Sequence, residues 1–305
     1  MAKSNVSIHV PLAAPDVQPN TMVEFARRAE AAGAGGIWTL DRLVFDNQEP
    51  LTALAAAAAM TTDMYLGISV LLGTLRPPAM LAKILATLDQ LNGGKVIAGL
   101  GVGSRPDDFA GAEIPFEHRG SRLEEAIQVV KLCWSGQPVK FSGRFYTIDV
   151  GPIGPKPLSG STLPIWLGGG GSESALKRIG RIADGYIASS SGGPGGFRDK
   201  WDAIGRYAEQ AGRDPASIYP AGLIYVCVDD DVARAEEVTA RYFQHYYAGN
   251  RPTRGGAIMG SADACIRGIN DYLQAGLRYP IIGMPTADLS HLERFLEKVL
   301  PRLES

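Results

Sequence analysis

Cysteine is scarce in this 305-residue chain: Cys133, Cys227 and Cys265 stand far apart, with no C-x-x-C pair among them. That spacing argues against a disulfide framework or a thiolate zinc site, and each thiol is expected to pack as a small apolar group in a reducing compartment. An excess of one charge is also missing. The formal net charge is -2 and the pI about 6.1, which lacks the basic footprint of a nucleic-acid binder. No apolar run reaches bilayer length; the most apolar stretch, residues 51–60, is alanine-rich and too short. The opening residues, MAKSNVSIHV, hold one lysine and no apolar core of signal-peptide length. A cytoplasmic protein without a membrane partner is the default expectation. H-E-x-x-H and clustered metal-ligand spacings are absent, so no metal is expected; G-x-S-x-G is absent too, and a serine hydrolase has no support.

What is present is rhythm. Short β-type runs at 6–10, 36–40, 65–71, 95–100, 164–167, 185–188, 222–228 and 279–283 alternate with helical patterns. The helical stretches fall at 21–32, 51–62, 80–91, 119–135, 174–183, 197–211, 232–247 and 262–275, with a last helix at 291–303. Strand followed by helix, repeated eight times, implies a parallel sheet with right-handed crossovers. The expected class is α/β, a single (β/α)8 TIM barrel spanning residues 1–305, with an open doubly wound sheet as the alternative. One excursion, about residues 136–163, contains VKFSGRFYTIDV, whose alternation around Ser142-Gly143 predicts a hairpin insertion. A loop at about 248–260 (AGNRPTRGGAIMG) is expected to serve as a lid.

A parallel barrel puts its active site at the C-terminal ends of its strands. That selects residues 38–42, 69–73, 101–105, 168–172 and 189–196 as a ring around one pocket. The sharpest signal is the run Gly168-Gly169-Gly170-Gly171-Ser172 ahead of a helix. Glycines let backbone N–H groups approach a ligand, and a helix N-terminus favours an anion, so a phosphate is the expected guest. The other reading is a turn with Ser172 as a plain N-cap. Gly99, Gly101 and Gly103 make a poor dinucleotide fingerprint and are expected to let the backbone lie flat against a planar ring. Asp41 is expected to accept a hydrogen bond from a cofactor or substrate, and Arg42 to supply positive charge, against the alternative of a solvated surface pair. His9 ends the first strand, facing either the barrel mouth or the packed interior.

Taken in order, WTLDR (38–42), RPPAMLAKILATLD (76–89), VIAGLGVG (96–103), the glycine run (167–172), IADG (182–185) and residues 259–283 resemble the luciferase-like family of flavin- and deazaflavin-dependent oxidoreductases. The resemblance implies that Asp41 contacts the cofactor and that Arg42 stands where several relatives place a histidine acting as acid or base. It also implies a cis peptide at Ser69-Val70 behind the cofactor ring, a cofactor-contacting loop at Val102-Gly103-Ser104, and a phosphate held by Gly169, Gly170, Gly171 and Ser172. Asp41 and Arg42 are the candidate catalytic residues.

The cofactor so implied is a deazaflavin, coenzyme F420, passing hydride to or from a small organic substrate. FMN with oxygen, giving monooxygenation, is the alternative. A phosphate-binding lyase or isomerase, or a non-catalytic cofactor binder, stays open, although no lysine sits at a strand end. The substrate itself is not readable, and the oligomeric state is open between a single chain and a homodimer.

Overall fold

β-branched and aromatic runs become strands, and each feeds a segment with helical spacing. The computed structural model describes residues 4–158, 160, 163–189 and 191–303. In chain order the elements begin β1 (Ser7–His9), α1 (Thr21–Ala31), β2 (Gly36–Thr39), α2 (Pro50–Met60), β3 (Tyr65–Ile68) and β4 (Leu71–Leu72). Then come α3 (Pro78–Leu91), β5 (Val96–Gly101), α4 (Pro106–Gly111), α5 (Arg119–Trp134), β6 (Pro138–Ser142), β7 (Thr147–Pro152) and β8 (Ile165–Gly168). The chain continues through α6 (Glu173–Ile182), β9 (Gly185–Ser189), α7 (Gly193–Gln210), β10 (Tyr219–Val228) and α8 (Val232–Tyr247). It ends in β11 (Ala257–Gly260), α9 (Ala262–Gln274), β12 (Tyr279–Gly283) and α10 (Leu289–Lys298).

The strands run β1-β2-β3-β5-β8-β9-β10-β12 in parallel, and β12 pairs back onto β1, which closes an eight-stranded barrel. β4 continues the third strand beside β5. The expected barrel is therefore present. Its order departs from strict alternation in the seventh unit, where α8, β11 and α9 separate β10 from β12. β11 pairs with the last residues of β10, so part of the expected 248–260 lid is sheet. α7 starts at Gly193, so the second half of the expected loop at 189–196 is helix; its Ser190 lies outside the described residues. α4 was not anticipated.

Alternation along the strands sorts the core. On β5, Val96, Ala98 and Leu100 join the large cluster between sheet and helices, whereas Ile97 belongs to the cluster enclosed by the barrel. That inner cluster holds Trp38, Trp166 and Tyr279, with the two indoles stacked at 5.7 Å and Tyr279 edge-on to Trp38 at 5.8 Å. Such pairs contribute about 0.5–1.5 kcal/mol beyond their burial. The Ser7 hydroxyl donates to the Tyr279 oxygen at 2.8 Å. His9 is fully buried, its ring nitrogens lack a partner among the described residues, and it does not line the cavity at the barrel mouth, which favours the packed reading. All three cysteines are buried and free, as expected.

The hairpin forms as expected, with β6 antiparallel to β7. Glu125 of α5 pins its turn by accepting from the N–H groups of Arg144 (2.9 Å) and Phe145 (2.8 Å). Among the described residues no helix is long and apolar enough to cross a membrane.

Asp229, just past β10, ties that strand to two helices. It accepts from Arg234 of α8 at 2.6 and 2.8 Å, from Arg294 of α10 at 3.1 Å, and from the Asp231 N–H at 2.9 Å. The Arg234 hydrogen bond, helped by the Asp231 N–H and Arg294, outweighs burial and holds the Asp229 carboxyl well below the usual carboxylate range. A depressed pKa stabilises the fold above the ordinary carboxylate value and loses that contribution as pH falls below it. Asp229→Asn should therefore lower the Tm at neutral pH. The gap to wild type should narrow between about pH 4 and pH 2; a gap that stays constant down that range would show that the ionised form adds nothing.

Candidate active site

At the C-terminal ends of the strands the barrel opens into a cavity of about 380 Å³. Asp41, Arg42, Ser69, Val70, Val102, Gly103, Ser104, Gly169 and Gly170 all line it, so the structure brings nine of the expected residues together. The Ser69-Val70 peptide is cis, as expected. The Val70 side chain sits where a Cβ on Gly101 or on Gly168 would fall. Gly101 lines the cavity and Gly99 does not, and both also answer a packing need. Gly101 makes room for Val70, and a Cβ on Gly99 would collide with the Ile68 carbonyl. The glycines serve the protein's own packing and thereby raise Val70 at the cavity floor. The Ser69 hydroxyl beside it is buried with no partner among the described residues.

Asp41 is not a surface residue. It is 5% exposed and its carboxylate accepts from the Leu72 N–H at 2.9 Å and from Arg76 at 2.7 and 3.3 Å. Arg76 also bonds Glu49, the residue that caps α2. Asp41 thus anchors the stretch that follows Val70. Arg42 is likewise buried, at 7% exposed. Its Nε donates to Asp108 of α4 at 2.6 Å, and its Nη2 to the Val44 carbonyl at 3.1 Å and to Asp107 at 3.2 Å. Asp108 in turn accepts from the N–H groups of Leu43 and Val44 at 2.9 and 2.8 Å. The expected positive charge is therefore already matched by carboxylates, and among the described residues Nη1 finds no acceptor.

The glycine run divides in two. Gly169 and Gly170 line the cavity; Gly171 and Ser172 follow at its rim, ahead of α6. Ser172 accepts from the Ala175 N–H and is the N-cap of α6, while Gly171, at φ +103°, lies beside the Lys200 side chain. Gly170 has open space where a Cβ would go. Lys200, from α7, was not legible in the sequence: it approaches Gly171 from another βα unit and donates to the Ser191 carbonyl at 3.2 Å. Gly103, at φ +74°, receives the Arg119 guanidinium on its carbonyl at 3.0 Å.

Sequence reading also missed the aromatic wall. The end of α8 brings Tyr246 and Tyr247 to the cavity, their rings 4.7 Å apart and nearly perpendicular. Arg105 lies over the Tyr246 ring and donates to its carbonyl at 2.5 Å. Among the described residues no group of three or more His, Cys, Asp or Glu side chains is placed to hold a metal.

Comparison with known proteins decides the family. The model for luciferase-like monooxygenases matches residues 6–279. The chain belongs to the luciferase-like family. It is 29% identical to an F420-dependent glucose-6-phosphate dehydrogenase of Amycolatopsis mediterranei, over 94% of this chain and 95% of that one. A second such enzyme, from Kineococcus radiotolerans, is 33% identical over 72% of this chain and 68% of its own length. In fold, a solved F420-dependent secondary alcohol dehydrogenase superposes with a TM-score of 0.87 at 22% identity, each chain covered in full. The protein is an oxidoreductase of this family.

Two outcomes follow for stability. Asp41→Ala should cost about 3 kcal/mol, because it leaves Arg76 and the Leu72 N–H without their buried acceptor. A denaturation curve showing only about 0.5 kcal/mol would return Asp41 to the solvated surface. Gly101→Ala should cost about 1–3 kcal/mol by overpacking against Val70. Adding Val70→Ala should recover part of that loss, a coupling that only touching residues show.

Proposed function

We propose that the protein is a deazaflavin (F420)-dependent oxidoreductase that moves hydride to or from a small organic substrate at the open end of the barrel. The observation that carries this reading is the cavity floor: Val70 stands between Gly101 and Gly168, the Ser69 hydroxyl beside it lacks a partner among the described residues, and Gly169 and Gly170 line the cavity with open space at Gly170. That combination fits a flat ring carrying a phosphate at one end. The relatives named for F420 support the choice of cofactor. When bound, the cofactor supplies two-electron hydride chemistry that no side chain can perform.

The chain's own residues do the positioning. Val70 and the Val102-Gly103-Ser104 loop meet the ring's faces. Gly169 and Gly170 offer backbone N–H groups to the phosphate, with Lys200 and the start of α6 adding positive charge nearby. Asp41 acts through the backbone it holds, and Arg42 with the Tyr246–Tyr247 wall bounds the space for substrate. The reading places the enzyme in the cytoplasm, and it holds equally for one chain or a homodimer. FMN shares the ring shape and the phosphate and remains the second reading; the occupation of the histidine position by Arg42 favours it.

Gly170→Val tests the phosphate placement, because the open space at Gly170 lets the variant fold while its side chain blocks an approaching anion. Titrated against wild type and variant, FMN should lose about tenfold in affinity or more and riboflavin far less. Equal losses for both would mean that the loop only shapes the pocket.

A further inference from the structure

Most charged side chains that line this cavity are held by protein partners. Arg76 donates to Asp41 at 2.7 Å, and Arg42 to Asp108 at 2.6 Å. Arg105 differs. It lines the cavity and is half-buried, and among the described residues its guanidinium has no carboxylate partner. Its Nη2 donates to the Tyr246 carbonyl at 2.5 Å, while Nε and Nη1 find no acceptor among the described residues and are not sealed from solvent.

Two contacts fix where that guanidinium sits. Arg105 follows β5, yet it bonds the last turn of α8 and lies 5.1 Å from the centre of the Tyr246 ring. A planar group held by both a ring and a hydrogen bond loses little freedom when it takes a ligand. The surface beside it is apolar: Tyr246 and Tyr247 share the cavity lining with Leu40 and Leu223, and Phe45 packs edge-on to Tyr246 at 5.4 Å. One cation without a carboxylate, next to an apolar wall, matches a ligand with a single negative charge on a hydrocarbon body. A doubly charged phosphate would call for a second such cation in the lining.

We propose, resting on the reading of this cavity as the place where substrate meets cofactor, that Arg105 determines specificity by holding a carboxylate of the substrate. The substrate class is then a carboxylic acid with an apolar body. The carboxylate accepts from the free N–H groups of Arg105, a charge-assisted pairing stronger than one between neutral groups. The hydrocarbon part lies against Tyr246 and Tyr247, where burial of apolar surface adds affinity. Held at its charged end, the substrate offers the cofactor only carbons at a set distance from the carboxylate.

Calorimetric titration with 3-phenylpropionate, its neutral amide and acetate separates the charged from the apolar half of the site. Wild type, with and without F420, should bind the acid about tenfold tighter than either the amide or acetate. Arg105→Gln should remove the preference for acid over amide and leave the affinities for the amide and for F420 unchanged. Arg105→Lys should keep part of the preference, because it keeps the charge but loses the planar fork. The comparison of acid with amide on wild type needs no variant, so it decides the matter should the glutamine variant not fold. Equal binding of acid and amide by wild type overturns the proposal, as does tighter binding of 3-phenylpropyl phosphate than of the acid. An Arg105→Gln variant that loses F420 affinity but keeps its preference for the acid also overturns it, by assigning Arg105 to the cofactor. Failure of both F420 and FMN to bind wild type overturns the cofactor reading instead, while the titrations on cofactor-free protein still judge Arg105.

Discussion

The carboxylate of Asp41, at the end of β2, accepts the N–H of Leu72 and the guanidinium of Arg76, both from the chain just beyond Val70. This fixes how the third strand resumes as β4 after its interruption, and so where Val70 can sit. Val70 then occupies the space left open by Gly101 on β5 and Gly168 on β8. Three neighbouring strands are thus locked at one point by a valine, two missing side chains and one buried ion pair. Because the whole arrangement is inside the barrel mouth, the shape of the cavity floor is set before any ligand arrives. Such preorganisation lets a binding site orient a ring without spending affinity on ordering its own walls.

Above that floor, electrostatics are arranged in closed pairs. Arg42 answers Asp107 and Asp108, Asp41 answers Arg76, and Asp229 answers Arg234 and Arg294 at the root of α8. The last set holds the helix whose final turn delivers Tyr246 and Tyr247 to the cavity. Neutralised charges in a half-dry cleft leave directed N–H donors rather than a strong field.

Much of this was legible in the sequence, and the parts that were not share a cause. Strand–helix alternation gave the closed barrel, Ser142-Gly143 gave the hairpin, and the motif order pointed to the cis Ser69-Val70 peptide and to the cavity lining. Each of those is written in consecutive residues. What stayed hidden depends on partners distant along the chain. Arg42 finds Asp108 66 residues away, so it looked like a free cation, and Asp41 finds Arg76 at a separation of 35. The packing role of Gly99 and Gly101 was hidden because the valine and the carbonyl that crowd them come from the third strand. Lys200 reaches Gly171 from the next βα unit. Local chemistry misled once: Gly193-Pro-Gly-Gly looks like a loop, but proline suits the first turn of a helix, and α7 begins there.

The central claim is that a phosphate-bearing flat ring lies on Val70. A crystal structure of the protein soaked with F420 tests it most directly. The account predicts the deazaflavin ring against the Val70 side chain, its phosphate at the N–H groups of Gly169 and Gly170, and Arg42 on the substrate side of the cavity. Cofactor density at any other place on the molecule, or a phosphate directed away from the Gly169-Gly170 edge, would contradict it.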